Sequence, residues 1–107
     1  MKIFNLKKFT KGWFIGNFEP VIFKTDDFEI AIKKYQKGDK ESAHYHKVAK
    51  EYTAITSGLF KFNDKILKEG DIVLIEPNES VDFECLEDGI NVVVKIPSVI
   101  DDKYLFN

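Results

Sequence analysis

The sequence predicts an all-β fold of the sandwich or barrel class. Apolar residues fall in runs of strand length, turn-forming residues interrupt them about every ten positions, and no stretch holds an apolar period of 3.6 long enough for a helix. With 107 residues there is room for one domain and one core, and no internal repeat or composition shift marks a boundary.

Each element follows from local chemistry. Residues 1–24 read as a strand arm. Gly12, Gly16 and Pro20 punctuate Trp13 to Ile15 and Val21 to Phe23, aromatic and β-branched pieces that suit a pleated surface. Such an arm pairs with a sheet edge of its own or of a second subunit, and Trp13, Phe14 and Phe18 are expected as packing groups. Phe28, Ile30 and Ile32 alternate with Glu29, Ala31 and Lys33, a half-buried strand that ends at the turn Lys37-Gly38-Asp39. Between Leu59 and Leu67 the chain folds back through Asn63-Asp64, with Phe60, Phe62 and Ile66 expected in the core.

The continuous apolar run Ile72 to Ile75 predicts a strand covered on both faces. Val81 to Leu86 and Ile90 to Ile96 are two further strands, joined by a turn at Glu87-Asp88-Gly89. In the tail, 98–107, Tyr104, Leu105 and Phe106 are each worth on the order of 2 kcal/mol when buried, so they are expected to dock on the barrel or on a partner.

The chemistry concentrates in Gly38 to Gly58, GDKESAHYHKVAKEYTAITSG, which holds both histidines. At His44 and His46 they stand two apart, so on a strand both rings share a face. A hairpin through Lys47 to Lys50 would return Glu51 beside them. Two imidazoles and a carboxylate suit a borderline divalent metal, zinc, nickel, iron or manganese; an exposed pair or satisfied core histidines would share the spacing.

The fixed positions Gly38, His44, His46, Glu51 and Gly58, with their gaps, resemble the first motif of the cupins. That resemblance implies a single-domain cupin, 1–107, an antiparallel jelly-roll β-barrel of the RmlC-like kind with its core barrel at about 28–96. It also implies a pocket in which His44, His46 and Glu51 are the metal ligands. The second motif departs from the family. Counted from Gly70, Glu76 stands in place of proline, Asn78 of glycine, Val81 of the third histidine and Cys85 of the closing asparagine. A slip of one residue would offer Asp82 as ligand, but Val81, Phe83 and Cys85 form the apolar face and Asp82 with Glu84 the charged one, which favours the ungapped register.

Composition narrows the partners. The net charge is −2, the lysines are scattered, and there is no arginine, so neither a nucleic-acid footprint nor a guanidinium fork for phosphate is available. One cysteine rules out an internal disulfide; Cys85 is expected to be buried and inert. With no membrane-length apolar run and no apolar leader in MKIFNLKKF, a cytoplasmic protein is expected, and exposed sheet edges predict a homodimer.

The resemblance to the cupins implies, as function classes, a metal-dependent enzyme of isomerase or dioxygenase type, a small-molecule-binding module with or without metal, and a metal-independent sugar-nucleotide epimerase or isomerase in which a histidine is the general base. The last suffers from the missing arginine, because a pyrophosphate would have only lysines and backbone amides.

Overall fold

Two long strands, β5 (Lys50–Phe62) and β8 (Val81–Ile96), pair antiparallel along their lengths, from Lys50 opposite Ile96 to Phe62 opposite Phe83. The computed structural model describes residues 1–106; Asn107, the last position of the expected tail, lies outside the described residues. Seven shorter strands complete the sheet: β1 (Trp13–Gly16), β2 (Phe23–Lys24), β3 (Glu29–Tyr35), β4 (Lys40–Tyr45), β6 (Lys65–Lys68), β7 (Ile72–Ile75) and β9 (Tyr104–Leu105). Two 3-10 turns, Leu6–Lys8 and Thr10–Gly12, precede β1.

The long pair bends once, and the bend makes the barrel. β8 carries β3 beside its C-terminal half and β4 beside its N-terminal half, while β5 carries β7 and then β6 on its other side. Gly58 and Gly89 face each other at the bend. Gly58 has φ +87°, and a Cβ there would stand 2.6 Å from the Asp88 carbonyl oxygen; a Cβ on Gly89 would stand 2.3 Å from that of Ser57. Only glycines let the two backbones approach so closely. The turn expected at Glu87-Asp88-Gly89 is thus a bulged bend inside one strand rather than a break between two. The result is an all-β antiparallel jelly-roll barrel, parallel only between β1 and β2.

Its interior has two ends. One is apolar: Ile55, Phe60, Phe62, Ile75, Val81, Phe83 and Cys85 form the buried cluster, with Phe83 stacked on Phe60 at 5.5 Å and edge-on to Phe62 at 5.2 Å. The other is polar. Glu29, Ala31 and Lys33 of β3 pair across to Lys95, Val93 and Asn91 of β8, which pair on to Glu51, Thr53 and Ile55 of β5. Glu29, Thr53 and Asn91 are buried there. The apolar set of β3, Ile30 and Ile32, faces outward, so on this strand the buried face is the polar one.

Two further expectations are corrected, those for Ile72 to Ile75 and for Ile66. Ile72 and Leu74 are 69% and 43% exposed, because β7 is an edge strand paired only with β5 and only Val73 and Ile75 turn inward. Ile66 is exposed because it pairs with Lys61 on the outer face. In the tail, Tyr104 stacks on Tyr45 at 5.5 Å as β9 pairs with β4, but Leu105 and Phe106 stay largely exposed at that edge.

Candidate functional site

A cavity of about 260 Å³ opens at the polar end, and His44, His46, Glu51 and Val81 all line it. β4 delivers His44, whose cross-strand partner is Val81. His46 follows the end of β4. Glu51 comes from β5, yet β4 and β5 do not pair: each lies against β8, and residues 47–49 cross between them. The expected hairpin is therefore a crossover, and its convergence has another cause.

That cause is Asp102, which the sequence reading missed. Its carboxylate accepts N–H bonds from Lys47 (2.9 Å), Val48 (3.1 Å) and Ala49 (2.9 Å), pinning the crossover. Burial pushes the Asp102 carboxyl up, but these amides and nearby His46 outweigh it and hold it below its ordinary value. The Asp102 carbonyl oxygen lies 2.5 Å from His46 Nδ1, so Nδ1 is the protonated nitrogen. Nothing in a tail reading SVIDDKYLFN distinguishes this aspartate from its neighbour by spacing or period.

His46 is 4% exposed, and its Nε2 is buried without a hydrogen-bond partner. The nearest carboxylate oxygen, Glu51 Oε1, stands at 3.5 Å, a contact longer than a good hydrogen bond. Glu51 Oε2 accepts the Thr53 hydroxyl at 2.9 Å. Burial raises the Glu51 carboxyl, yet His46, Lys95 and Thr53 together bring it below the usual value, so it is ionised. His44 Nδ1 lies 3.0 Å from the Ser42 carbonyl oxygen, and its ring meets that of His46 edge-on at 5.5 Å. Both imidazoles thus donate through Nδ1 to a carbonyl, leaving Nε2 as the free nitrogen.

By kind, this donor set fits a borderline divalent ion: two Nε2 lone pairs, one ionised carboxylate, and carbonyl oxygens that fix the ring tautomers. By placement, no group of three or more His, Cys, Asp or Glu side chains among the described residues is arranged to hold one. Val81 is buried and inward with Phe83 and Cys85, as the ungapped register predicts. Asp82 is exposed and exchanges hydrogen bonds with Asn63, at 2.9 and 3.1 Å. Cys85 is fully buried; its thiol donates to the Glu87 carbonyl oxygen, and burial with Asp39 and Asp88 pushes it up.

No protein-family model and no curated protein matches the sequence. Solved structures do. An uncharacterized conserved protein with a double-stranded β-helix domain from Klebsiella pneumoniae aligns with a TM-score of 0.71 at 22% identity, over 97% of this chain and 90% of that one. An RmlC-like cupin from Shewanella frigidimarina aligns at 0.65 and 20% identity, over 72% of each chain. DMSP lyase DddQ from Ruegeria pomeroyi aligns at 0.69 and 19% identity over 87% of this chain, which spans about half of that enzyme's length, 49%. At these identities the likeness is one of fold.

Proposed function

With a cupin barrel as the premise, we propose that its polar end binds a small polar molecule at His44, His46 and Glu51, and that these three side chains, which the described residues do not gather around one point, would close on a divalent zinc, nickel, iron or manganese ion when one is bound. The observation that carries this reading is His46 Nε2, a lone pair buried in the cavity wall with no partner. A buried polar atom left unpaired costs about 1–3 kcal/mol, and a ligand or ion in the cavity would remove that cost. When bound, such an ion supplies Lewis-acid polarisation of a ligand oxygen or, as iron, redox chemistry, the basis for an isomerase or dioxygenase-like activity.

The chain's own residues do the rest. Asp102 fixes the His46 ring, Thr53 orients Glu51, and Val81, Phe62 and Phe83 close the apolar side of the cavity against water. That a lyase shares the fold supports an enzymatic use of the pocket. The test is elemental analysis of protein purified without added metal. We expect metal approaching one ion per chain, lost in the His44→Ala/His46→Ala double variant; unchanged content in that variant would overturn the assignment.

The 3.5 Å contact between His46 and Glu51 favours a second reading, a binding module without metal in which His46 and Glu51 face each other and hold the ligand directly. Protein free of metal at every preparation, with ligand binding intact, would select it. A sugar-nucleotide epimerase is disfavoured, since about 260 Å³ corresponds to roughly nine water molecules and is small for a nucleotide.

Association and setting complete the proposal. A reducing cytoplasmic setting suits the single buried thiol, and among the described residues no helix is long and apolar enough to cross a membrane. We place a homodimer interface on the outer sheet face, to which Ile15 and Phe23 of the arm contribute, rather than on a strand exchange by the arm, because β1 is already paired within its own chain.

A further inference from the structure

Lys33 and Lys95 are turned into the barrel. On the inner face of β3 and β8 they occupy the rows on either side of the Ala31–Val93 pair, and Trp13 of β1 stands opposite Ala31 on that middle row. Both ammonium groups bend toward the indole, Lys33 Nζ to 5.3 Å and Lys95 Nζ to 5.1 Å from the ring centroid. Among the described residues neither forms an ion pair with a carboxylate within 4.0 Å. Two half-buried cations that reach the same ring in one cavity repel each other, an arrangement that an anion near both relieves. Burial, opposed by Glu41 but aided by Lys95, already lowers the Lys33 ammonium.

A second observation lies on the same wall. Asn91, the direct cross-strand partner of Lys33, is 1% exposed, lines the cavity, and its Oδ1 has no hydrogen-bond partner. A ligand hydroxyl serves either end of that amide, because it both donates and accepts.

Resting on the reading of this cavity as the ligand pocket, we propose that its ligand is a small hydroxylated organic acid, whose carboxylate sits between Lys33 and Lys95 beside Trp13 and whose hydroxyl reaches Asn91. Point charges, rather than a guanidinium fork, read the carboxylate in a chain without arginine. The cavity volume limits the acid to about three to six carbons.

Trp13 is the only tryptophan, so its fluorescence reports this wall alone. Lactate, malate and gluconate are titrated against glycerol, erythritol and sorbitol, with inorganic phosphate as a separate arm. We expect at least one acid to give a saturable change at least tenfold tighter than its polyol and than phosphate. Lys33→Met and Lys95→Met should each weaken it tenfold or more, Asn91→Ala several-fold, and the Lys33→Arg/Lys95→Arg double variant should retain it. Circular dichroism checks that each variant folds. Elemental analysis of the same preparations separates this site from the metal reading, since Lys33→Met and Lys95→Met should lose the acid response while holding as much metal as the unsubstituted protein.

Equal binding of acid and polyol, equal binding of phosphate, or indifference to the lysine substitutions would overturn the anion seat while leaving the pocket. No saturable response to any acid overturns it as well.

Discussion

At the scale of single residues, the arrangement of His46 depends on a backbone carbonyl fifty-six positions away. Asp102 satisfies three consecutive amides of the crossover and fixes the ring through its own carbonyl. Replacing its carboxylate by Asp102→Ala leaves those three N–H groups, Ala49's buried, without their acceptor and should cost about 2 kcal/mol in chemical denaturation. Asp102→Asn should cost less, since one oxygen still accepts. Val81 and Asp82 make a sharper pair. Val81→His places an imidazole beside His44 and should tighten metal binding tenfold or more by calorimetry, whereas Asp82→Ala should leave it unchanged and cost about 1 kcal/mol through the lost Asn63 bond. The reverse outcome would return Asp82 to the ligand set. Tyr35, packed 4.7 Å from Phe83, has its phenol pushed well above 10.0 by burial and by Glu41, Glu51 and Asp39. A raised value means the folded state keeps a proton the unfolded chain loses, so this stabilisation is whole below about pH 10 and falls as pH rises further. Tyr35→Phe should therefore flatten part of the alkaline loss of stability; identical alkaline limbs would show that Tyr35 carries none of it.

Among the elements, the bend of β5 and β8 decides where everything else goes. Gly58→Ala and Gly89→Ala each press a Cβ into the facing backbone, and each should lower stability by at least about 2 kcal/mol, measured by denaturant midpoint at constant slope. A Gly58→Ala protein of unchanged stability would remove the steric account of that motif position. This explains what the sequence could and could not disclose. Strand existence, the Asn63-Asp64 turn and the inward set Val81, Phe83 and Cys85 were legible because period and turn chemistry are local. The continuity of β8 was not, because Glu87-Asp88-Gly89 has a turn's composition and becomes a bend only when Gly58 lies against it. Asp102 was invisible for the same reason: its partners are set by the crossover, not by neighbours in the chain.

Over the whole molecule, the polarity of three strands, β3, β5 and β8, runs opposite to the simple rule beside the cavity, and this shapes both surfaces of the sheet. Polar residues of β3, β5 and β8 face the cavity, so the apolar ones face out. Leu74, Tyr52, Val94, Ile30, Ile15 and Phe23 form one cross-strand row over β7, β5, β8, β3, β1 and β2, and Ile72, Ala54, Val92 and Ile32 form the next. Period alone could not reveal this, since alternation tells that two faces differ but not which one encloses a ligand. At ~4.8 Å between strands and ~7 Å between successive outward residues, these ten residues cover on the order of 340 Å², under half of the roughly 800 Å² per partner of a standard stable interface, so they would form the apolar centre of a wider contact. A second copy is the occupant that fits, because a two-fold axis through the face sets one apolar row on its own symmetry mate. Ile72 and Leu74, 69% and 43% exposed, stand at one edge of the patch and Phe23, 57% exposed, at the other. Light scattering at micromolar concentration should give the mass of a dimer, and Leu74→Lys with Val94→Lys should return it to a monomer with the Trp13 fluorescence of the cavity unchanged. A dimer that survives both substitutions would move the interface to the exposed Leu105 and Phe106 edge, and a wild-type monomer would leave the outer face to a different partner.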